Sequence, residues 1–183
     1  MTLHPGTLPF LSTQRLHLHC MDDATLRASL LQPDAFAAHI RSAVPQDWPP
    51  RYWDAAAVEW VLARTASAPR DAFVRPWLVM LASTGAAVGT AGFKGPPDDA
   101  GMVEVGYGVV QSHWRRGLAT EAVGALLTWA WNDQRVQVVQ AHTLAQDPAS
   151  GGVLRKHGFA HTATVQDPDD GAVDRFQLHR MQK

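Results

Sequence analysis

A single cysteine, Cys20, occurs in the 183-residue chain, so no intramolecular disulfide can form and no multi-cysteine metal site can be assembled. That scarcity fits a reducing compartment, and the cytoplasm is the expected location. No run of about 18 apolar residues is present, and the N-terminal stretch lacks a basic segment followed by an apolar one. Neither membrane spanning nor export is therefore indicated. An excess of one charge is missing too: 16 Lys plus Arg stand against 17 Asp plus Glu, a formal net charge of -1. This excludes a global basic field of the kind that drives nonspecific nucleic-acid binding. Internal repeats, low-complexity tracts and an interdomain linker are also lacking. One domain over residues 1–183 is the expectation, long enough to bury roughly 70% of the surface its unfolded chain exposes.

Tryptophan and proline, by contrast, are plentiful, with 7 and 12 residues. Many crowd between Pro45 and Trp77, including Trp48, Pro49, Pro50, Tyr52, Trp53 and Trp60. Hydrophobic periodicity gives an α+β order. Alternation of Leu16 and Leu18 predicts a strand over 15–20, and Asp22 or Asp23 caps a helix through Leu31 that Pro33 stops. Further helices are expected from Asp34 and from Asp54, the latter with Ala57, Val58, Val61 and Leu62 on one stripe. Strands over 77–81 and 87–93 flank a turn at Ser83, Thr84 and Gly85. A central strand runs from Met102 to Val110 and a long helix from about Leu118 to Trp131, its apolar face packing on the sheet. The next strand covers 136–143. A short helix capped by Asp147, with Pro148 at its first position, ends at Gly158. Two last strands, 161–165 and 173–179, flank a turn over Asp167 to Gly171.

The stretch from Val103 to Ala122 carries the chemistry. It reads as strand, glycine-bearing turn and helix start, an arrangement that leaves backbone N–H groups at the positive end of a helix dipole and suits a pyrophosphate. Gly106 and Gly108 share one strand face with Glu104. Glycines weaken a strand interior unless something approaches the backbone closely, and an extended ligand along the strand is one such thing. A bulged strand before an ordinary turn is the other reading. A nucleotide-binding loop is disfavoured, because no Gly-Lys-Ser/Thr follows the turn.

Several segments in this order resemble the GCN5-related N-acetyltransferases (GNAT), in the branch of the RimJ/RimL type. Trp114-Arg115-Arg116-Gly117-Leu118-Ala119 matches the family's acetyl-CoA motif except for Trp at its first position, which with Thr120-Glu121-Ala122 resembles that branch. Thr13-Gln14-Arg15-Leu16-His17-Leu18, Val88-Gly89, Val103-Glu104-Val105-Gly106-Tyr107 and Lys156-His157-Gly158-Phe159 are similar to other family segments. The resemblance implies a mixed, mostly antiparallel twisted sheet of about six to seven strands flanked by helices and splayed between the fourth and fifth strands. It also implies acetyl-CoA as co-substrate, no metal, an amine acceptor and room for a homodimer.

By the same resemblance, the turn N–H groups of Arg115, Arg116, Gly117, Leu118, Ala119 and Thr120 hold the pyrophosphate, while Val109, Val110 and Gln111 pair with the pantetheine arm like an added strand. Plain surface solvation is the other reading of the two arginine side chains. Asp147-Pro148-Ala149-Ser150 is similar to an Asn-x-x-Ser element that meets the cofactor from the opposite strand. Asp in place of Asn removes an N–H donor and adds a charge. Gly151 and Gly152 after it shorten the helix or open room beside the thioester. Where many members of the superfamily carry a tyrosine acid this chain has Leu154, so Ser150 or an ordered water is the candidate donor to the leaving thiolate.

Attack on a thioester needs a neutral amine, hence a base. Glu104 is the first candidate, with an ion-paired sheet residue as its alternative role. His142 on the next strand is the second, since imidazole exchanges protons in the useful range. His113 reads as a solvated turn residue. Trp48, Tyr52, Trp53 and Trp60 wall an acceptor site or pack in the core, and residues 94–99 could form a rim. Cys20 is not expected to act as a nucleophile. The reaction implied is direct acetyl transfer to a protein N-terminus or a small amine. A noncatalytic acyl-CoA sensor on the same fold is the competing reading.

Overall fold

The computed structural model describes residues 8–68, 71–168 and 170–181, so Asp169 of the expected turn lies outside the described residues. Chain order is β1 (Phe10–Ser12), β2 (Leu16–Cys20), α1 (Asp23–Ala28), α2 (Pro33–Ile40), α3 (Ala55–Ser67), β3 (Pro76–Leu81), β4 (Ala87–Phe93), β5 (Met102–Val109), α4 (Leu118–Ala130), β6 (Val138–Leu144), α5 (Pro148–Lys156), β7 (Ala160–Asp167) and β8 (Gly171–His179). The strands form one open sheet in the order β1-β2-β3-β4-β5-β6-β8-β7. An eighth strand therefore joins the six to seven expected. It is β1, three residues at the edge paired to β2, too short to show a period in sequence. The fourth and fifth strands of the sequence reading are consequently β5 and β6.

Every neighbouring pair is antiparallel except β5 and β6. That parallel pair is brief: Met102 lies against Val138, Val103 against Val139 and Glu104 against Gln140, and pairing then stops. Strand β5 continues to Val109 on β4, while β6 continues to Leu144 on β8, so the sheet opens into a gap between them.

Helix starts follow local capping. Asp22, Asp54 and Asp147 each accept backbone N–H groups at the first turn of α1, α3 and α5. Helix α1 ends at Ala28 rather than Leu31, and its terminal Ser29 is fully buried, donating to the Leu26 carbonyl at 2.6 Å. Helix α4 buries Leu118, Ala122, Val123, Leu126, Leu127 and Ala130. Val103 and Val105 of β5 are buried with them in the main core, so by the strand's period of two Tyr107 and Val109 share the α4 face. Glu104, Gly106 and Gly108 lie on the opposite face, where a Cβ on Gly108 would come 3.2 Å from Pro50 Cβ.

The aromatic excess serves mostly this packing. Phe73, Phe93, Trp77 and Trp129 form one cluster, with ring centroids 4.7 Å apart for Phe73 and Trp129 and 5.5 Å for Trp77 and Trp129. Trp48 stacks near Phe36 at 5.0 Å and donates its indole N–H to the Ser29 carbonyl, and Trp53 donates to Ser29 Oγ. Those two rings brace the α2–α3 connection. Tyr52 and Trp60 stay exposed, at 57% and 46%, beside Arg51 and Arg64.

Candidate active site

Helix α4 begins differently from its capped neighbours. Its N-cap is Gly117, in the left-handed region at φ 74° and with no side chain to accept from the first turn. The first intrahelical bond is from Glu121 N–H to the Gly117 carbonyl, so the N–H groups of Leu118, Ala119 and Thr120 face outward with their donors unused by a cap. Arg115 also sits at positive φ, 60°, which curls the backbone into a concave turn.

This turn is braced from below. Glu121 accepts from Thr13 Oγ1 at 2.6 Å and from both the backbone and Nε of Arg15, and Arg15 Nη1 donates to the Arg116 carbonyl at 2.8 Å. Burial works against the Glu121 charge, but these donors outweigh it and hold its carboxyl below the usual range. The acid in the first turn is thus neutralised by Arg15 and does not repel an anion above. On the outer side, Asp47 accepts from Ser112 N–H at 2.7 Å and Ser112 Oγ at 2.8 Å, tying the tryptophan-rich connection to the turn. Ser112 Oγ also lies 3.0 Å from His113 Nδ1.

The gap between β5 and β6 leads away from this turn. Lys94 N–H bonds the Glu104 carbonyl and Val110 N–H bonds the Val88 carbonyl, so even-numbered residues of β5 turn their backbone groups to β4. The intervening Val105, Tyr107 and Val109 turn theirs to the gap. Trp114 Nε1 donates to the Val109 carbonyl at 2.6 Å and closes the end of that edge. Of the three residues expected to pair with an extended ligand, Val109 turns its N–H to the gap and Gln111 N–H has no hydrogen bond among the described residues. The Val110 N–H is engaged on β4, and the Val110 and Gln111 carbonyls accept from His113 and Trp114 N–H groups. The unpaired edge of β5 thus begins after Glu104, with 105, 107 and 109 turned to the gap.

On the Gly106 and Gly108 face of β5, Glu104 Oε1 lies 2.5 Å from Lys94 Nζ and 3.1 Å from His142 Nδ1. That oxygen is closed off from solvent between the two groups. Burial disfavours the Glu104 anion, yet Lys94 and His142 outweigh it and the carboxyl is held below its ordinary range. Glu104 is ionised at neutral pH and a poor proton acceptor by itself. Above Gly106 a Cβ would meet nothing within 4 Å. Open space lies there beside the carboxylate.

On the other face, Tyr107 Oη is 2.9 Å from the Ser150 carbonyl and 3.0 Å from Ser150 Oγ. Asp147 accepts from Ala149 and Ser150 N–H groups at 3.1 Å, so it caps α5 and fixes Ser150 in its first turn. Leu154 is fully buried. Helix α5 runs on to Lys156 through both glycines; a Cβ on Gly151 would come 3.3 Å from Phe176, whereas Gly152 faces open space. The Cys20 thiol is buried and pushed by that burial, against a smaller pull from Arg75, to about 12. It is inert. Among the described residues no group of three His, Cys, Asp or Glu side chains could hold a metal ion, and no helix is long and apolar enough to cross a membrane.

The site thus joins an uncapped helix start behind a left-handed glycine to a sheet that parts along one strand. Residues 15–160 fit the model of the acetyltransferase (GNAT) domain. The chain belongs to the GNAT acetyltransferase family. The uncharacterised N-acetyltransferase YjdG of Bacillus subtilis is 34% identical over 83 residues, 45% of this chain and 49% of its own length. For the uncharacterised N-acetyltransferase YoaA of the same organism the identity is 26% over 83 residues, 45% of this chain and 47% of that protein. The chain thus spans about half the length of the curated relatives it matches. Among solved structures, the RimL ribosomal L7/L12 alpha-N-protein acetyltransferase in complex with coenzyme A superposes with a TM-score of 0.68 at 16% identity, covering 93% of this chain and 98% of that one. The ribosomal-protein-S5-alanine acetyltransferase from Vibrio fischeri gives 0.69 at 12% identity, covering 93% and 96%. The GNAT fold with its RimL-like sheet is therefore shared along nearly the whole chain.

The Tyr107–Ser150 contact and the Lys94–Glu104 pair were not anticipated from sequence. The first had a usable signal, since a period of two sets Tyr107 opposite the Glu104 face. The second, like the Asp47–Ser112 tie, joins segments whose spacing carries no pattern.

Proposed function

We propose that this GNAT domain transfers the acetyl group of acetyl-CoA to a primary amine, a protein N-terminus or a small-molecule amine, by direct attack within a ternary complex. The observation that carries the reading is the uncapped start of α4 lying in line with the open edge of β5: a diphosphate and an extended amide-bearing arm need those two features in that order. N–H groups of Gly117, Leu118, Ala119 and Thr120, with Arg115 and Arg116 beside them, receive the pyrophosphate. The arm adds to β5 along Val109, Tyr107 and Val105. Asp147 contributes by holding Ser150 in the helix start rather than by donating.

Glu104 and His142 work as one base. The carboxylate beside Nδ1 favours the tautomer that carries its proton there, which leaves the lone pair on Nε2, an atom with no hydrogen bond among the described residues. The amine proton passes to Nε2 as nitrogen attacks the carbonyl carbon. The C–N bond forms, the C–S bond breaks, and the sulfur keeps the electron pair. Positioning of two bound reactants supplies most of the rate.

Two measurements test this. Thermal melting with saturating acetyl-CoA, CoA or ATP comes first. Ligand at 100 times its dissociation constant adds about 2.7 kcal/mol, roughly 5 to 10 °C for a domain of this size, and a shift with ATP alone defeats the assignment. Mass spectrometry of an amine panel then separates protein N-termini from small amines. His142→Gln and Glu104→Gln should each lower turnover about 100-fold or more while leaving cofactor binding intact. Cofactor binding with no transfer to any amine would instead favour the sensor reading, which the buried Leu154 at the acid position supports.

A further inference from the structure

The proton donor that Leu154 cannot supply has a counterpart across the gap. Tyr107 lies three residues beyond the last β5–β6 pair, so its backbone belongs to the open edge while its hydroxyl reaches α5. One phenolic proton faces two acceptors at nearly equal range, the Ser150 carbonyl at 2.9 Å and Ser150 Oγ at 3.0 Å. With the proton on the carbonyl, the serine hydroxyl turns back to the phenol oxygen and the pair is closed. With it on Oγ, the serine proton is released outward. Two hydroxyl rotations interconvert these states, and negative charge growing on a nearby sulfur favours the second.

Resting on the acetyl-transfer reading, we propose that Tyr107 is a positioning residue that donates to Ser150 Oγ and so directs the Ser150 proton to the sulfur of the departing CoA. Chained hydroxyls polarise one another, so the terminal donor is strengthened. No proton leaves Tyr107. The thiolate departs with the electron pair from the broken C–S bond, is held by the Ser150 O–H, and is later protonated by solvent, while the amine proton resides on His142. Burial, with Asp147 adding to it against the Ser150 hydrogen bond, pushes the Tyr107 hydroxyl up to about 12. The phenol thus remains a donor throughout the working range. A tyrosine that only pinned α5 to β5 would contribute to stability and leave the sulfur unaffected.

The test reads the sulfur itself and needs no acceptor. Ultraviolet thiolate absorbance of CoA bound to the full chain is titrated with pH in the wild type, Tyr107→Phe, Ser150→Ala and the double variant. Losing a hydrogen bond to an anion should raise the bound thiol pKa by about 1 to 2 units in Ser150→Ala. Tyr107→Phe should raise it by a smaller amount, and the double variant should match Ser150→Ala alone, because Tyr107 acts only through Ser150. A Tyr107→Phe titration identical to wild type, or a Tyr107→Phe effect undiminished on the Ser150→Ala background, overturns the proposal. Failure of the wild type to bind CoA removes the acetyl-transfer reading and this inference with it, whereas normal binding with an unmoved thiol removes only the inference.

Discussion

Filling the space above Gly106 should separate stability from activity. A Cβ built there meets no atom within 4 Å, and the residue does not sit at positive φ, so a side chain fits without clash or backbone strain. Glycine in a strand interior is destabilising by about 0.5 to 1 kcal/mol relative to Ala, and Val adds strand propensity on a scale of about 1 kcal/mol. Gly106→Val should therefore melt at or above the wild type, by about 1 to 4 °C for a chain of this length. The same side chain occupies the face shared with Glu104, where the proposed reaction brings amine and acetyl group together. A misplacement of about 1 Å can cost about 100-fold in rate, so turnover should fall at least that far. Neighbouring glycines supply the control. At Gly108 the Cβ presses on Pro50 at 3.2 Å, and at Gly89 it would fall 2.3 Å from the Gly108 carbonyl oxygen, backbone against backbone. Gly89→Ala should lose about 1 to 3 kcal/mol or more. The assays are thermal melting and CoA release with a thiol reagent. Wild-type turnover in Gly106→Val, or a melting point well below wild type, would refute the assignment of that space to the acceptor.

Three other outcomes follow from the same geometry. Gly117→Ala forces a side chain into the left-handed region at a cost of about 1 to 2 kcal/mol and disturbs the turn N–H groups, so both melting temperature and acetyl-CoA affinity should drop; calorimetric titration checks the second. Glu104 and Glu121 are held below the ordinary carboxyl range when folded. Their stabilisation is therefore complete above the unfolded value of about 4.3 and is lost as pH falls through the lower folded values, so their contribution to the melting temperature should fade on that acid side. A melting temperature that rises below about pH 4 contradicts the sign. Cys20, with its thiol near 12, should resist a disulfide reagent at neutral pH in the native chain and react after denaturation; prompt labelling of the native form would show that the site opens.

Sequence carried the parts of this molecule that repeat or cap. Strand β4 and the start of α4 fall where periodicity and turn chemistry put them, and Asp22, Asp54 and Asp147 cap the helices assigned to them. The uncapped turn before α4 was legible because one local run, 114–120, contains its left-handed residues and its unused N–H groups. Long-range pairing was not. Lys94 meets Glu104 because β4 ends in a loop that folds back on β5, and Trp114 meets the Val109 carbonyl because the intervening 3-10 turn reverses the chain. Nothing in the spacing 104–94 or 104–142 distinguishes a partnered carboxylate from a free one. The tryptophan-rich stretch left two readings open for a related reason: indole N–H groups require acceptors when buried, and Ser29, distant in sequence, supplies them to Trp48 and Trp53.

On the proposed mechanism a single strand keeps acid and base apart. If Glu104 and Tyr107 lay on one face of β5, the ion pair with Lys94 would stand beside the Ser150 hydroxyls, and a proton donor and a proton acceptor could neutralise each other. Their odd spacing puts the Glu104–His142 pair on the face that receives the Pro50 segment and the Tyr107–Ser150 pair on the face covered by α4 and α5. The gap opens between them because β5 parts from β6 just after Glu104. On the proposed reaction, a reactant in that gap would offer its carbonyl carbon to one pair and its sulfur to the other, so attack and departure would draw on groups that share no hydrogen bond. Moving the tyrosine by one position along β5 would end that separation, so on the proposed mechanism the odd spacing from 104 to 107 serves the reaction as well as the pleat.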